Sequence, residues 1–288
     1  STHEGASIAA KRALAKSGLS ASDIGMLIYG GVCRDNIEPA TACSVADCIG
    51  VSSKAVVFDV SNACLGVLTG MIQVANAIEL GQIKAGIVVS SETSRQIVDA
   101  TIERLIESPD MEMFKKTIAT MTGGSGAVAV LLTSQELSDK GHRLKGGVLR
   151  NAVEHHRLCI WGPDAGIMGR GGEVFMETDS VGVLNNGTVL GQETYAAFRE
   201  EMALTADQPD KVICHQVGSA HQKIMLETLG ISKEKDYATY PYLGNIGTVS
   251  LPLTAAIASE REFLRKNDLV AFLGIGSGLN CMMLAIEW

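Results

Sequence analysis

Residues 65–80, LGVLTGMIQVANAIEL, read as a helix that is apolar on every side. A surface helix carries a single apolar stripe, so a helix of this kind has to be sandwiched between layers of structure. Strand and helix signals alternate around it. Residues 6–18 have helical periodicity, 24–32 read as a buried strand, 41–50 as a short helix and 55–60 as a strand. Strands follow at 83–92 and 123–134. After about residue 145 the pattern begins again, with strands at 145–153, 211–217, 268–278 and 280–288 and helices at 192–204, 220–230 and within 245–266. Alternation of this kind is the signature of an α/β architecture.

The two halves, 1–142 and 143–288, align in register. Cys33 and Cys214 both end a strand 181 residues apart, and Cys64 and Asn245 both open a buried helix at the same spacing. CIGVSSK (48–54) and LGISKEK (229–235) occupy matching places. The second half spends residues 143–190 on a strand and a Gly-rich segment before its first helix, whereas the first half begins at that helix. A first strand and its loop are therefore expected to be missing from the N-terminus.

Composition narrows the functional classes. With 46% hydrophobic residues in 288, the chain can bury a substantial core, and 5% aromatics beside 31 glycines suit close-packed α/β layers. A net charge of −8 without a basic tract argues against nucleic acid as a partner. Apolar runs such as AVAVLL (127–132) are too short to span a membrane. Seven cysteines scattered through apolar segments look like reduced thiols of a cytoplasmic protein rather than a disulfide framework.

Three short motifs carry chemistry. NACLG (62–66) puts Cys64 where a β-branched strand meets a helix, and a helix N-terminus lowers a thiol pKa. Cys64 reads otherwise as a buried structural cysteine. ICHQV (213–217) places His215 at the end of a strand, and GNIG (244–247) places Asn245 at a helix N-terminus. Strand C-termini and helix N-termini are where open α/β sheets assemble sites.

Other residues are weaker candidates. His155, His156 and Cys159 are close enough to suggest a metal, but no second ligand pair follows, so a loop near a substrate channel is the simpler reading. His221 reads as a surface or packing residue. GGSG (123–126) and GIGSG (274–278) lack the GxGxxG arrangement of a dinucleotide site. In the irregular stretch 159–180, Trp161, Met168 and Phe175 could line a channel or pin a loop.

With CRDNIEPATA (33–42), KGGVLRNAVEHHRLC (145–159) and GIGSGLNC (274–281), these motifs give a chain that resembles the thiolase superfamily, in its β-ketoacyl-acyl-carrier-protein synthase III group. Within that group it is most similar to the branch that joins two long-chain acyl-CoAs head to head in olefin biosynthesis. The resemblance implies a duplicated five-layer αβαβα fold and a homodimer. It implies Cys64 as the nucleophile that forms an acyl-enzyme, with the N–H groups of Cys64 and Ser277 as oxyanion donors. His215 and Asn245 would then stabilise the enolate of the second thioester in a Claisen condensation. No cofactor or metal is expected, and coenzyme A or acyl-carrier-protein thioesters would be the substrates. Lys223, Lys233 and Lys235 offer a modest docking cluster for an acidic carrier protein.

Glu38 separates the subfamilies. A decarboxylating synthase obtains its carbanion by losing CO₂, whereas a non-decarboxylating enzyme has to remove an α-proton with a base. In the olefin branch the glutamate of the E-P context is thought to be that base, reaching across the dimer interface. The alternative is that Glu38 caps or salt-bridges the loop before a helix, with Pro39 in its first turn. The remaining alternatives are a decarboxylating synthase that starts fatty-acid synthesis, a papain-like hydrolase with the same Cys–His–Asn order, and a degenerate non-catalytic paralogue lacking the first strand. Against the hydrolase, the C-G-[SA]-C-[WY] surroundings of the cysteine are absent and the duplicated halves go unexplained.

Overall fold

A computed structural model describes residues 1–138, 141–163 and 174–288. In the first half, α1 (Thr2–Ser17), β1 (Met26–Gly30), α2 (Thr41–Ile49), β2 (Val56–Val60), α3 (Gly66–Glu79) and β3 (Ala85–Thr93) alternate. Helices α4 (Arg95–Glu107) and α5 (Met111–Thr117) then intervene before β4 (Ser125–Thr133). The second half opens with β5 (Arg143–Asn151), followed by the strands β6 (Cys159–Pro163) and β7 (Val174–Thr178). It continues through α6 (Ser180–Glu201), β8 (Lys211–Cys214), α7 (Ser219–Leu229), α8 (Tyr240–Leu243) and α9 (Ser250–Glu260). Strands β9 (Leu269–Gly276) and β10 (Asn280–Glu287) follow.

Two four-stranded sheets form, in the orders β2-β1-β3-β4 and β5-β10-β9-β8. β1 runs parallel to β2 and β3, and β8 parallel to β9, while β4 and β10 are antiparallel additions. Strand alternation sorts side chains to opposite faces. On β1, Leu27 and Tyr29 join a core with α1 and α2, while Ile28 faces the other way. On β10, Cys281, Met283 and Ala285 pack toward α6 and α7, and Met282, Leu284 and Ile286 face inward. The inward sides of both sheets meet on α3 and α9 in one shared core. The layers are therefore α1/α2, sheet, α3/α9, sheet and α6/α7, the five-layer arrangement expected. The first two turns of α3 are enclosed, and Gln73, Asn76 and Glu79 surface only toward its end.

β5 covers the outer edge of β10, and among the described residues no strand covers the corresponding edge of β4. The first half thus has no counterpart of β5. The 181-residue register, however, is corrected. Gly66 and Ser250 open α3 and α9, Ala63 and Gly247 open the 3-10 turns before them, and Ala85 and Leu269 open β3 and β9, each pair 184 residues apart. β1 ends at Gly30, the counterpart of Cys214, so Cys33 lies three residues beyond the strand rather than ending it. A three-residue slip is nearly one helical turn, which leaves an apolar pattern almost in phase and conceals the error. The glycines that end α2 and α7, Gly50 and Gly230, both left-handed, are 180 apart, so the register shifts by four residues between β1 and Gly50 and is recovered before α3 and α9.

The two central helices are tied by one polar contact. The backbone N–H of Val67, in the first turn of α3, donates to the hydroxyl of buried Thr248 at 2.7 Å. Helix N-termini leave such donors unpaired, and an unpaired buried donor costs about 1–3 kcal/mol. Thr248→Val, which keeps the shape and removes the acceptor, should lower unfolding stability by that amount in urea titration. A change below about 0.5 kcal/mol would show that the contact is not needed.

Candidate active site

Cys64 sits in the 3-10 turn Ala63–Leu65 at the mouth of α3. Ala63 adopts a left-handed φ of 44°, a conformation that side chains bearing a Cβ rarely take and that recurs at functional turns. The turn lies close to β1 because Gly30 has no side chain: a Cβ there would fall 2.6 Å from the Gly66 carbonyl oxygen. From the other sheet, Gly276 at the end of β9 approaches so closely that its Cβ would be 3.3 Å from the Cys64 nitrogen. Cys64 is thus clamped between the C-terminal ends of strands from both sheets.

Cys64, Asn245 and Ser277 line one cavity of about 400 Å³. Burial, with Cys159 and Glu92 close by, pushes the Cys64 thiol up to about 12, while the backbone N–H groups of Cys64 and Ser277 favour the thiolate. The expectation of a lowered thiol pKa is therefore overturned, because desolvation outweighs the helix N-terminus. Asn245 lies five residues before α9, in a bridge to Gly123, with its N–H on the Thr122 carbonyl and its carbonyl receiving the Gly124 N–H. Gly124 is required there, since a Cβ would overlap the Leu243 carbonyl oxygen. The Asn245 Oδ1 accepts the Gly247 N–H at 3.0 Å. Because an N–H can only donate, this contact fixes the orientation of the amide and leaves its NH₂ as a donor.

His215 follows β8 directly, with its N–H on the Leu273 carbonyl. It is buried and is not among the residues that line the cavity, and its Nδ1 has no hydrogen-bond partner among the described residues. Burial, with His221 nearby, lowers His215 to about 3, so the imidazole is neutral. His221 is itself lowered to about 4 by burial, a packing residue beside His215 rather than a surface one.

Glu38 is not in the cavity. It is exposed on the loop before α2, whose first amides, Thr41 and Ala42, are held by Asp59, so Glu38 does not cap that helix. Pro39 precedes the helix cap, Ala40, rather than entering the first turn.

His156, Cys159 and Trp161 line the cavity, whereas Phe175 lies under the Arg104 guanidinium at 4.6 Å, and Met168 falls outside the described residues. No metal-binding group of side chains occurs among the described residues.

Sequence reasoning left two parts of the site unread. Ile97 of α4, Ala119 and Thr120 after α5, and Met176 of β7 line the same cavity, and these elements sit in stretches where no element was assigned. The other part is Glu92, at the end of β3. It is 4% exposed, lines the cavity, and accepts the N–H groups of Val32 at 2.8 Å and Cys33 at 3.0 Å. Burial raises its pKa, against those two donors. Its one sequence signal is a carboxylate at the C-terminal end of a buried parallel strand.

The family model for 3-oxoacyl-[acyl-carrier-protein] synthase III matches residues 58–151, and the model for the C-terminal part of that family matches residues 200–288. An acyl-CoA:acyl-CoA alkyltransferase of Shewanella oneidensis is 50% identical over 99% of this chain and 82% of its own length. A protein of the same description from Xanthomonas campestris is 36% identical over 99% of this chain and 82% of its own. A β-ketoacyl-acyl-carrier-protein synthase III of Natranaerobius thermophilus is 30% identical over 97% and 82%. The crystal structure of a Cys-to-Ser variant of Xanthomonas campestris OleA, with bound lauric acid and lauroyl-CoA, matches with a TM-score of 0.92 at 36% identity, covering 100% of this chain and 82% of that one.

The buried imidazole has a measurable consequence. An unfolded histidine titrates near 6.5 and folded His215 near 3, so between these values the unfolded chain binds a proton that the folded chain refuses. Stability from this group is therefore full above pH 6.5 and is lost as pH falls, at about 1.4 kcal/mol per unit. Urea titrations from pH 7 to 4.5 should show a shallower loss for His215→Gln than for the wild type, and parallel slopes would contradict a neutral buried His215.

Proposed function

The chain belongs to the 3-oxoacyl-[acyl-carrier-protein] synthase III family, and from that premise we propose that it condenses two acyl-CoAs without decarboxylation. It is an acyltransferase of the condensing kind. The observation that carries the reading is one cavity lined by a thiol, two backbone donors beside it and a fixed amide NH₂, in a chain half identical to an acyl-CoA:acyl-CoA alkyltransferase. The papain-like alternative falls with the family assignment. The non-catalytic alternative falls with the assignment as an enzyme.

In this reading the Cys64 sulfur attacks the carbonyl of the first acyl-CoA, and its proton leaves on the departing CoA thiolate. The oxyanion is held by the N–H groups of Cys64 and Ser277. The carbonyl oxygen of the second thioester lies against His215 and the Asn245 NH₂, which stabilise its enolate once the α-proton is removed. The α-carbon then attacks the acyl-enzyme, the C–S bond to Cys64 breaks, and a β-ketoacyl-CoA leaves. The side chains and backbone supply this chemistry without a cofactor.

Glu38 is the proposed base, delivered to the cavity of a second copy in a homodimer. In support, it lies outside its own cavity beside Ile37, a 78% exposed isoleucine on the same loop. Acyl-CoA is favoured over a carrier protein because two of the three lysines are engaged elsewhere: Lys223 pairs with Glu227, and Lys235 donates to the carbonyls of Asp207 and Pro209. No helix among the described residues is long and apolar enough to cross a membrane, and the described cysteines are all free, in keeping with a reducing, cytoplasmic setting.

Incubation with lauroyl-CoA and mass spectrometry of the products should give the β-keto product of two acyl chains. Glu38→Ala should lower that condensation about 10²–10⁴-fold, the usual worth of a general base, while Cys64 still becomes acylated. Release of CO₂ from malonyl thioesters, with no use of a second acyl-CoA, would place the chain with the decarboxylating synthases instead.

A further inference from the structure

Burying a carboxylate is costly unless something specific is gained, and Glu92 is the carboxylate among the described lining residues of the cavity, one that the condensation does not use. Two other buried or half-buried carboxylates nearby have plain structural work. Asp35 accepts the first amides of α1, and Asp59 accepts those of α2. Glu92 caps no helix. Each of its oxygens instead takes one backbone N–H of consecutive loop residues, Val32 and Cys33. The same point of the loop is fastened twice more. The Cys33 thiol lies 3.4 Å from the Thr93 carbonyl, and the Tyr29 hydroxyl lies 2.7 Å from the Cys33 carbonyl.

From that fastening the chain passes through Asp35, tied to α1, and reaches Thr41, tied to Asp59. Only residues 36–40 are left between anchors, and Glu38 stands at their centre. The chain approaches this span from β1 through Val32 and Cys33, whose successive amides the carboxylate holds just ahead of Asp35. Gly31 permits the contact, since a Cβ there would lie 3.2 Å from the Glu92 oxygen.

We propose that Glu92 is a positioning residue: by holding the Val32 and Cys33 amides at the cavity edge, it aims the loop that carries Glu38, and so serves proton abstraction rather than acylation. This inference rests on the reading of Glu38 as the base. A displacement of about 1 Å in a catalytic group costs about 10²-fold in rate.

The test uses the full-length assembled protein, with single-turnover acylation of Cys64 by lauroyl-CoA followed by intact mass and condensation followed by product mass. Glu92→Ala should lower condensation about 10²-fold and acylation at least tenfold less than that. Glu92→Gln keeps one acceptor oxygen and should recover part of the loss, falling about tenfold in condensation. In a Glu38→Ala background, Glu92→Ala should cost less than about twofold more, because its effect passes through the absent carboxylate. A purely structural Glu92 would instead depress both half-reactions together with the melting temperature. Equal losses in acylation and condensation, or losses that multiply with Glu38→Ala, would overturn the proposal while leaving Glu38 as the base. Wild-type condensation by Glu38→Ala alone would overturn the base assignment first and this inference with it.

Discussion

The structure depends on two helices that share the space between two sheets. α3 and α9 each have to bury their sides against both sheets, and one core joins Ile28 and Val88 of the first sheet to Phe272 and Met282 of the second through Leu68 and Val249. Packing at that density leaves no freedom to slide one half along the other. The Val67–Thr248 contact fixes the remaining choice of register. The turn before each helix is thereby brought to the same place, and those turns carry Cys64 and follow Asn245. The cavity is a consequence of the duplication: neither half alone supplies both the Cys64 thiol and the fixed Asn245 amide.

The electrostatics follow from the same enclosure. A thiol surrounded by packed strands loses solvation before it gains anything from a helix terminus, and its pKa rises. Burial also keeps His215 neutral. Enclosure therefore leaves both groups uncharged, the thiol protonated and the imidazole neutral. The backbone N–H groups of Cys64 and Ser277 work against the thiol's rise by favouring the thiolate. Glu92 is shifted by the same burial, which raises its pKa against the two amides that it accepts.

Much of the fold is legible in the sequence because the buried strands alternate with helices whose apolar faces are complete. α3 could be read for this reason, and NACLG, HQV and GNIG stand at element boundaries that the pattern marks. The repeat register is not legible to the residue, because a three-residue slip is almost a helical turn. The cavity roof escaped notice for another reason: α4 and α5 expose Ile106, Met111 and Phe114, so their apolar residues do not form the clean inward stripe of a core helix. α6 begins at Ser180, earlier than its periodicity suggests, because its first turns are only half-buried. Glu92 could not have been read as an anchor, since its partners lie about 60 residues earlier and are backbone amides that leave no trace in the sequence.

The central claim is that Cys64, and not another thiol of the cavity, receives the acyl group. Cys159 lines the same space, so the distinction is a real one. Brief incubation with lauroyl-CoA, acid quench and peptide mapping by mass spectrometry would locate the adduct. A single lauroyl thioester on the peptide containing Cys64, lost in Cys64→Ala and retained in Cys159→Ala, is the predicted result. An adduct on Cys159 that survives Cys64→Ala would contradict the account.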